Sequence, residues 1–250
     1  MGVNERFLRF HPSDHIIKLR SGKNFERMIL MKNKGKILMS AGGGVLTVLL
    51  IILLRFVDVR EIGPEGTSIG LSHLNQFFFE LTGLNIVWYD ITDWLGLTAI
   101  ATAFVFVVAG LVQWIKRKSL LKVDKEILCL GALYIVVIGL YFLFEKVIVN
   151  YRPVIMPGGS HPEASFPSSH TMIVCIIMGS AVMMIKKYIK KKSIQRVLAV
   201  LCRAIIAVTV IGRLIAGVHW FTDILGGILI SISLLSLFSA IINWKEKELT

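Results

Sequence analysis

Six apolar stretches constrain this chain more than any other feature: Ile37–Leu54, Leu95–Ile115, Ile127–Val149, Ser169–Ile185, Val197–Val218 and Phe221–Ile242. Each is roughly 20 residues long, the length a helix needs to cross a hydrocarbon core of about 30 Å. Hydrocarbon offers no partner to a backbone N–H or C=O, so such a run spans a membrane as a helix, whose hydrogen bonds close within the segment. With 55% hydrophobic and only 18% charged residues, and a mean hydropathy of +0.72, the composition excludes an ordinary soluble domain. The expected fold class is all-α: a polytopic membrane protein built as a six-transmembrane-helix bundle.

The net charge of +12 would suit nucleic acid, but its distribution has a simpler source. Arg6, Arg9, Lys18, Arg20, Lys23, Arg27, Lys32, Lys34 and Lys36 precede the first stretch. Lys116, Arg117, Lys118, Lys122 and Lys125 follow the second, and Lys186, Lys187, Lys190, Lys191, Lys192 and Arg196 follow the fourth. Lys245 and Lys247 close the chain. Basic residues collect in cytoplasmic loops, which places both termini in the cytoplasm and the three remaining connections outside. Contact with anionic lipid is the alternative reading of the same loops, but orientation alone explains them. The expected organisation is a basic cytoplasmic segment over residues 1–36, a six-span domain over 37–243 and a cytoplasmic tail over 244–250. Within the first segment Phe7, Leu8, Phe10, Ile16 and Ile17 allow contact with the inner leaflet, and an unstructured arm fits equally well. The first stretch lacks a small-residue cleavage site and reads as a retained anchor. The simple topology and the lack of targeting motifs fit a bacterial plasma membrane.

Other features carry less information. Cys129, Cys175 and Cys202 lie within apolar stretches without metal-ligand spacing and read as small core residues. Glycines such as Gly42, Gly43, Gly44, Gly226 and Gly227 suit close helix approach, and no phosphate-loop pattern is present. Between the first two spans, Gly63-Pro64-Glu65-Gly66 reads as a turn, and Leu74 to Leu84 as a short helix at the outer face. Trp88, Tyr89 and Trp94 suit an interfacial belt.

The chemistry lies in three polar clusters that the topology brings to one face. Lys146, Arg152 and Pro153 sit at the outer end of the third span, Pro167 to His170 lead into the fourth, and Arg213, His219 and Asp223 bracket the turn between the fifth and sixth. Ionisable side chains are costly in a membrane and mark function there. His219 and Asp223 are four residues apart, one helical turn, so the carboxylate can hold the imidazole at Nδ1 and leave Nε2 as a nucleophile. A capping aspartate beside a surface histidine is the plainer account of that pair alone. Arg213 reaches the same region across a turn containing Gly217. Ser168 and Ser169 after Pro167 read as a helix N-terminus, whose free amides bind anions. His170 in the first turn can protonate a leaving oxygen. Arg152, Arg213 and a lysine would neutralise a phosphate, with no carboxylate cluster for a hard cation and hence no need for magnesium.

At these residues the chain resembles the type 2 phosphatidic acid phosphatase family, the membrane branch of a superfamily that includes soluble acid phosphatases and vanadium haloperoxidases. That family carries a lysine followed after six residues by Arg-Pro, then Pro-Ser-Gly-His, then Ser-Arg-x5-His-x3-Asp. The resemblance covers roughly residues 145 to 227 and implies His219 as the nucleophile forming a phosphohistidine, Asp223 as its orienting partner and His170 as the acid. It assigns Arg152, Arg213, Ser168, the amide of Ser169 and Lys146 to the phosphate, with no cofactor and a membrane lipid as partner. Three positions depart: Lys146 stands one residue late with Glu145 in its place, Ser169 replaces glycine, and Gly212 replaces serine. The implied activity is hydrolysis of a lipid phosphate or diphosphate at the extracytoplasmic face, with undecaprenyl diphosphate, phosphatidylglycerophosphate and phosphatidic acid as substrates by resemblance. A lipid phosphotransferase with the same residues and a non-catalytic lipid-phosphate binding or transport protein are the alternatives.

Overall fold

The computed structural model describes residues 12–156 and 158–244, with residues 12–30 and 32 described by their backbone alone. The expected N-terminal segment up to residue 11, and the tail from residue 245, lie outside the described residues. The described residues form seven α-helices: α1 (Pro12–Phe56), α2 (Ser72–Thr82), α3 (Ile86–Arg117), α4 (Lys125–Lys146), α5 (Ser169–Tyr188), α6 (Lys192–Ala216) and α7 (Phe221–Ile242). Six of them are long and apolar enough to span a membrane, α1 over Asn33–Phe56. A two-residue ribbon pairs β1 (Arg60–Glu61) with β2 (Ser68–Ile69) in antiparallel register before α2.

α7 begins and ends where its apolar run does, but other boundaries move. α3 starts at Ile86, well ahead of Leu95, because Asn85 caps it: its side chain accepts from Trp88 N at 3.2 Å. A capping asparagine outweighs the polar Asp90 and Asp93 that follow. α4 stops at Lys146, short of Val149, as the chain turns into the connection to α5.

α5 and α7 form the centre of the bundle. Over their most apolar windows 56% of α5 and 44% of α7 is buried, against 11% of α3. α1 lies along α7, and α6 and α3 along α5. Met172 and Ile176 of α5 meet Ile230 and Phe238 of α7 and Leu130 and Leu133 of α4 in the main core. Large apolar side chains on the outward faces of α1, α3 and α4, among them Val45, Phe104 and Phe142, are exposed. That surface is stable only against lipid.

The connections at one end of the bundle build the site. α2 lies across α7: Phe78 stacks on Phe221 with centroids 4.2 Å apart, and Asn75 Oδ1 accepts from Thr222 N at 3.2 Å. This is the short helix expected between the first two spans. The segment after α4 folds back on itself, Arg152 N donating to Glu163 O at 2.9 Å and Ser165 N to Asn150 O at 3.0 Å. Phe166, buried beside Gly226, fixes how that segment meets α7, since a Cβ on Gly226 would lie 2.3 Å from its ring.

Candidate active site

Two helix N-termini meet here. Ser168 caps α5, its Oγ accepting from Thr171 N at 3.5 Å, while its own N–H donates to Asp223 O at 3.0 Å. That bond ties the start of α5 to the start of α7. Free amides and the positive ends of two helix dipoles thus share one neighbourhood, suited to an anion.

The turn between α6 and α7 presents His219. Gly217 adopts φ +65°, and a Cβ there would lie 1.8 Å from Gly83 O, so glycine is required both by conformation and by close approach. His219 follows, buried, and Asp223 sits at the third position of α7. Asp223 Oδ2 accepts from Trp220 N at 2.9 Å, a helix-capping bond, and stands 3.8 Å from His219 Nδ1. The pair is close but longer than the hydrogen bond expected from the spacing, and the same oxygen also serves the backbone. Among the described residues neither ring nitrogen of His219 has a hydrogen-bond partner, nor does Asp223 Oδ1. Burial first, then the charges of Arg152 and Arg213, hold the His219 imidazole well below its ordinary pKa of 6.5, against an opposing pull from the Ser165 backbone. That shift favours the neutral ring, which keeps a lone pair.

Arg152, Glu145, Ser165, Ser169 and His219 line one cleft with Phe144 and Phe166. Arg152 is held from two sides, Nε lying 3.1 Å from Glu163 Oε2 and one terminal nitrogen donating to Val218 O at 3.5 Å. Arg213, at the end of α6, is fully buried, with its guanidinium 4.9 Å from the centre of the Tyr89 ring and ion-paired to Asp93. Among the described residues its Nε has no hydrogen-bond partner. His170 Nε2 lies 3.0 Å from Asp93 Oδ1, the same oxygen that meets Arg213. The structure thus joins Arg152, Ser169 and His219 around one cleft, and Arg213 with His170 through Asp93 beside it. Ser168 is buried as the cap of α5. Lys146 is exposed in the last turn of α4 and does not line the cleft; Glu145 does.

Helix α3 supplies what sequence reasoning missed. Asp93, Tyr89 and Gly96 all face the site, and a Cβ on Gly96 would lie 2.9 Å from His170 Cδ2. The available signal was a carboxylate three residues from a glycine, on one helix face, at the margin of an apolar run. Gly212, where the resembled motif has serine, is where α3 presses on α6: a Cβ there would lie 2.6 Å from Thr92 Cγ2.

Residues 146–247 match the family model of the PAP2 superfamily. No curated protein matches the chain. Among solved structures, the chain is similar to the first transmembrane PAP2-type phosphatidylglycerolphosphate phosphatase from Bacillus subtilis. The two are 16% identical with a TM-score of 0.57, over 80% of this chain and 93% of that one. At that identity the likeness is one of fold.

Proposed function

From the match of residues 146–247 to the PAP2 superfamily model and the fold shared with a transmembrane PAP2-type phosphatase, we propose that this chain is an integral-membrane lipid phosphatase. His219 Nε2 attacks phosphorus; the N–P bond forms as the bond from phosphorus to the lipid oxygen breaks, and His170 gives its proton to that oxygen. Water then cleaves the phosphohistidine, with His170 taking up the proton. Arg152, Arg213 and the amides at the start of α5 carry the charge of the phosphoryl oxygens in the transition state. Asp223 stabilises the imidazolium that forms on attack.

The observation that carries this reading is a buried His219 whose ring nitrogens have no hydrogen-bond partner among the described residues, beside two arginines and two helix N-termini. Arg213 Nε beside it is a buried donor without a hydrogen-bond partner among the described residues, a cost that a bound anion would relieve. Charge neutralisation by arginine gives turnover that does not depend on a divalent metal. Lys146 takes part by swinging its flexible stem toward the phosphate.

By the distribution of basic loops, the site opens to the extracytoplasmic side of a plasma membrane, both termini are cytoplasmic, and the division is 1–36, 37–243 and 244–250. The proposed substrates are a lipid phosphate or diphosphate such as phosphatidylglycerophosphate, phosphatidic acid or undecaprenyl diphosphate. Purified protein incubated with each lipid in chelator should release free phosphate. Phosphorylated acceptor lipid in its place would point to a transferase, and neither product from any of the three to a binding protein.

A further inference from the structure

Arg213 and His170, assigned in the proposed reaction to the phosphate and to the departing oxygen, meet a single oxygen of Asp93. Oδ1 pairs with the Arg213 guanidinium and lies 3.0 Å from His170 Nε2. An oxyanion receiving a guanidinium and an imidazole N–H together is the role a phosphoryl or departing lipid oxygen would take.

The three groups differ in freedom. The Arg213 side chain is 1% exposed and flanked by Tyr89, and His170 is hemmed by Gly96 on the next turn of α3. The Asp93 side chain is 41% exposed, so it is the member with space to leave. Its backbone lies in the second turn of α3, outside the segments that carry the phosphate-binding motifs. Nε2 is also the His170 atom adjacent to the carboxylate, so the proton it would donate to a leaving oxygen is directed at Asp93.

We propose that Asp93 is a positioning residue that acts as a resident anion: its carboxylate holds Arg213 and His170 in place in the empty site and is displaced when a phosphate group binds. The inference rests on the reading of this cleft as a phosphate site. It follows that phosphate binding competes with an internal carboxylate, and removing that negative charge should tighten binding. A purely structural role for Asp93 predicts the opposite sign, because a loosened Arg213 would bind phosphate less well.

The test is binding of inorganic phosphate to purified full-length protein in detergent, followed by calorimetry at a pH where the ligand is a dianion. Asp93→Asn keeps the size and one acceptor oxygen and removes the charge; it should bind phosphate roughly tenfold more tightly than wild type. Asp93→Ser, neutral and smaller, carries the same expectation should Asp93→Asn fail to fold. Equal or weaker binding by a folded neutral variant overturns the inference and leaves the phosphatase reading intact. No phosphate binding by wild type overturns both.

Discussion

The two ends of the bundle treat their charged side chains differently. At the basic end Asp124 accepts at Oδ1 from Arg117 at 2.7 Å and at Oδ2 from Gln113 at 2.9 Å and Tyr188 at 2.8 Å, while its own N–H donates to Gln113 Oε1 at 2.9 Å. Lys187 pairs with Glu126 alongside. Those bonds fasten α3, α4 and α5 together. At the other end His219 is more deeply buried, yet among the described residues both ring nitrogens and Asp223 Oδ1 have no hydrogen-bond partner. A polar cluster whose bonds are complete holds structure; one that is buried and left incomplete is arranged for something that arrives.

The largest break in that comparison should come from His219. His219→Ala should lower turnover by roughly 10⁴-fold or more, while membrane insertion and elution in detergent stay as in wild type. His170→Ala should cost about 10³-fold in kcat on a lipid alkyl phosphate, within the range for a general acid. A substrate whose leaving group needs no proton, such as an aryl phosphate with a nitro substituent, should recover most of that loss. Equal loss on both substrates would show that His170 is not the proton donor.

pH separates the ends further. The folded pKa of His219 lies well below 6.5, so the unfolded chain binds a proton that the folded ring refuses. Stability from this group is complete above about pH 6.5 and falls as pH drops toward the folded pKa. The acid limb of kcat/KM, corrected for ionisation of the substrate, should likewise lie below pH 6.5. Asp124 is depressed below 3.8 first by its bond from Arg117, then by Tyr188. Its contribution is therefore complete above pH 3.8 and is lost as pH falls through its folded pKa. Thermal unfolding in detergent across both windows, with His219→Ala and Asp124→Asn as controls, separates the two.

The smallest effect should come from Asp124→Ala. It should lower unfolding stability by about 1 kcal/mol, given partial exposure of the cluster, and leave kcat/KM within twofold of wild type. A large loss of activity would mean that the ends are coupled.

Much of the bundle and part of the site were legible from the chain alone, for identifiable reasons. Apolar runs long enough to span have one structural solution in lipid, so six helices and the limits of α7 followed directly. His219, Asp223, Arg213, Arg152 and His170 stood out because charges at span ends are costly and their spacing matched a reaction. Asp93 did not, since it lay just outside the run beginning at Leu95 and its partners are remote in sequence. Glu145 facing the cleft in place of Lys146 was equally hidden: a shift of one residue on a helix turns a side chain by about 100°, and which of the two faces inward depends on how α4 meets the folded-back segment. The separation of His219 from Asp223 was invisible too, because only the backbone path shows that Trp220 N claims Asp223 Oδ2.

Acid-labile labelling tests the central claim most directly. Purified protein is mixed with lipid carrying a radiolabelled phosphoryl group, quenched in alkali during turnover, digested and mapped. The account predicts an alkali-stable, acid-labile phosphohistidine on the peptide containing His219, absent from His219→Ala. Turnover without label on that peptide, or label on another residue, would contradict it.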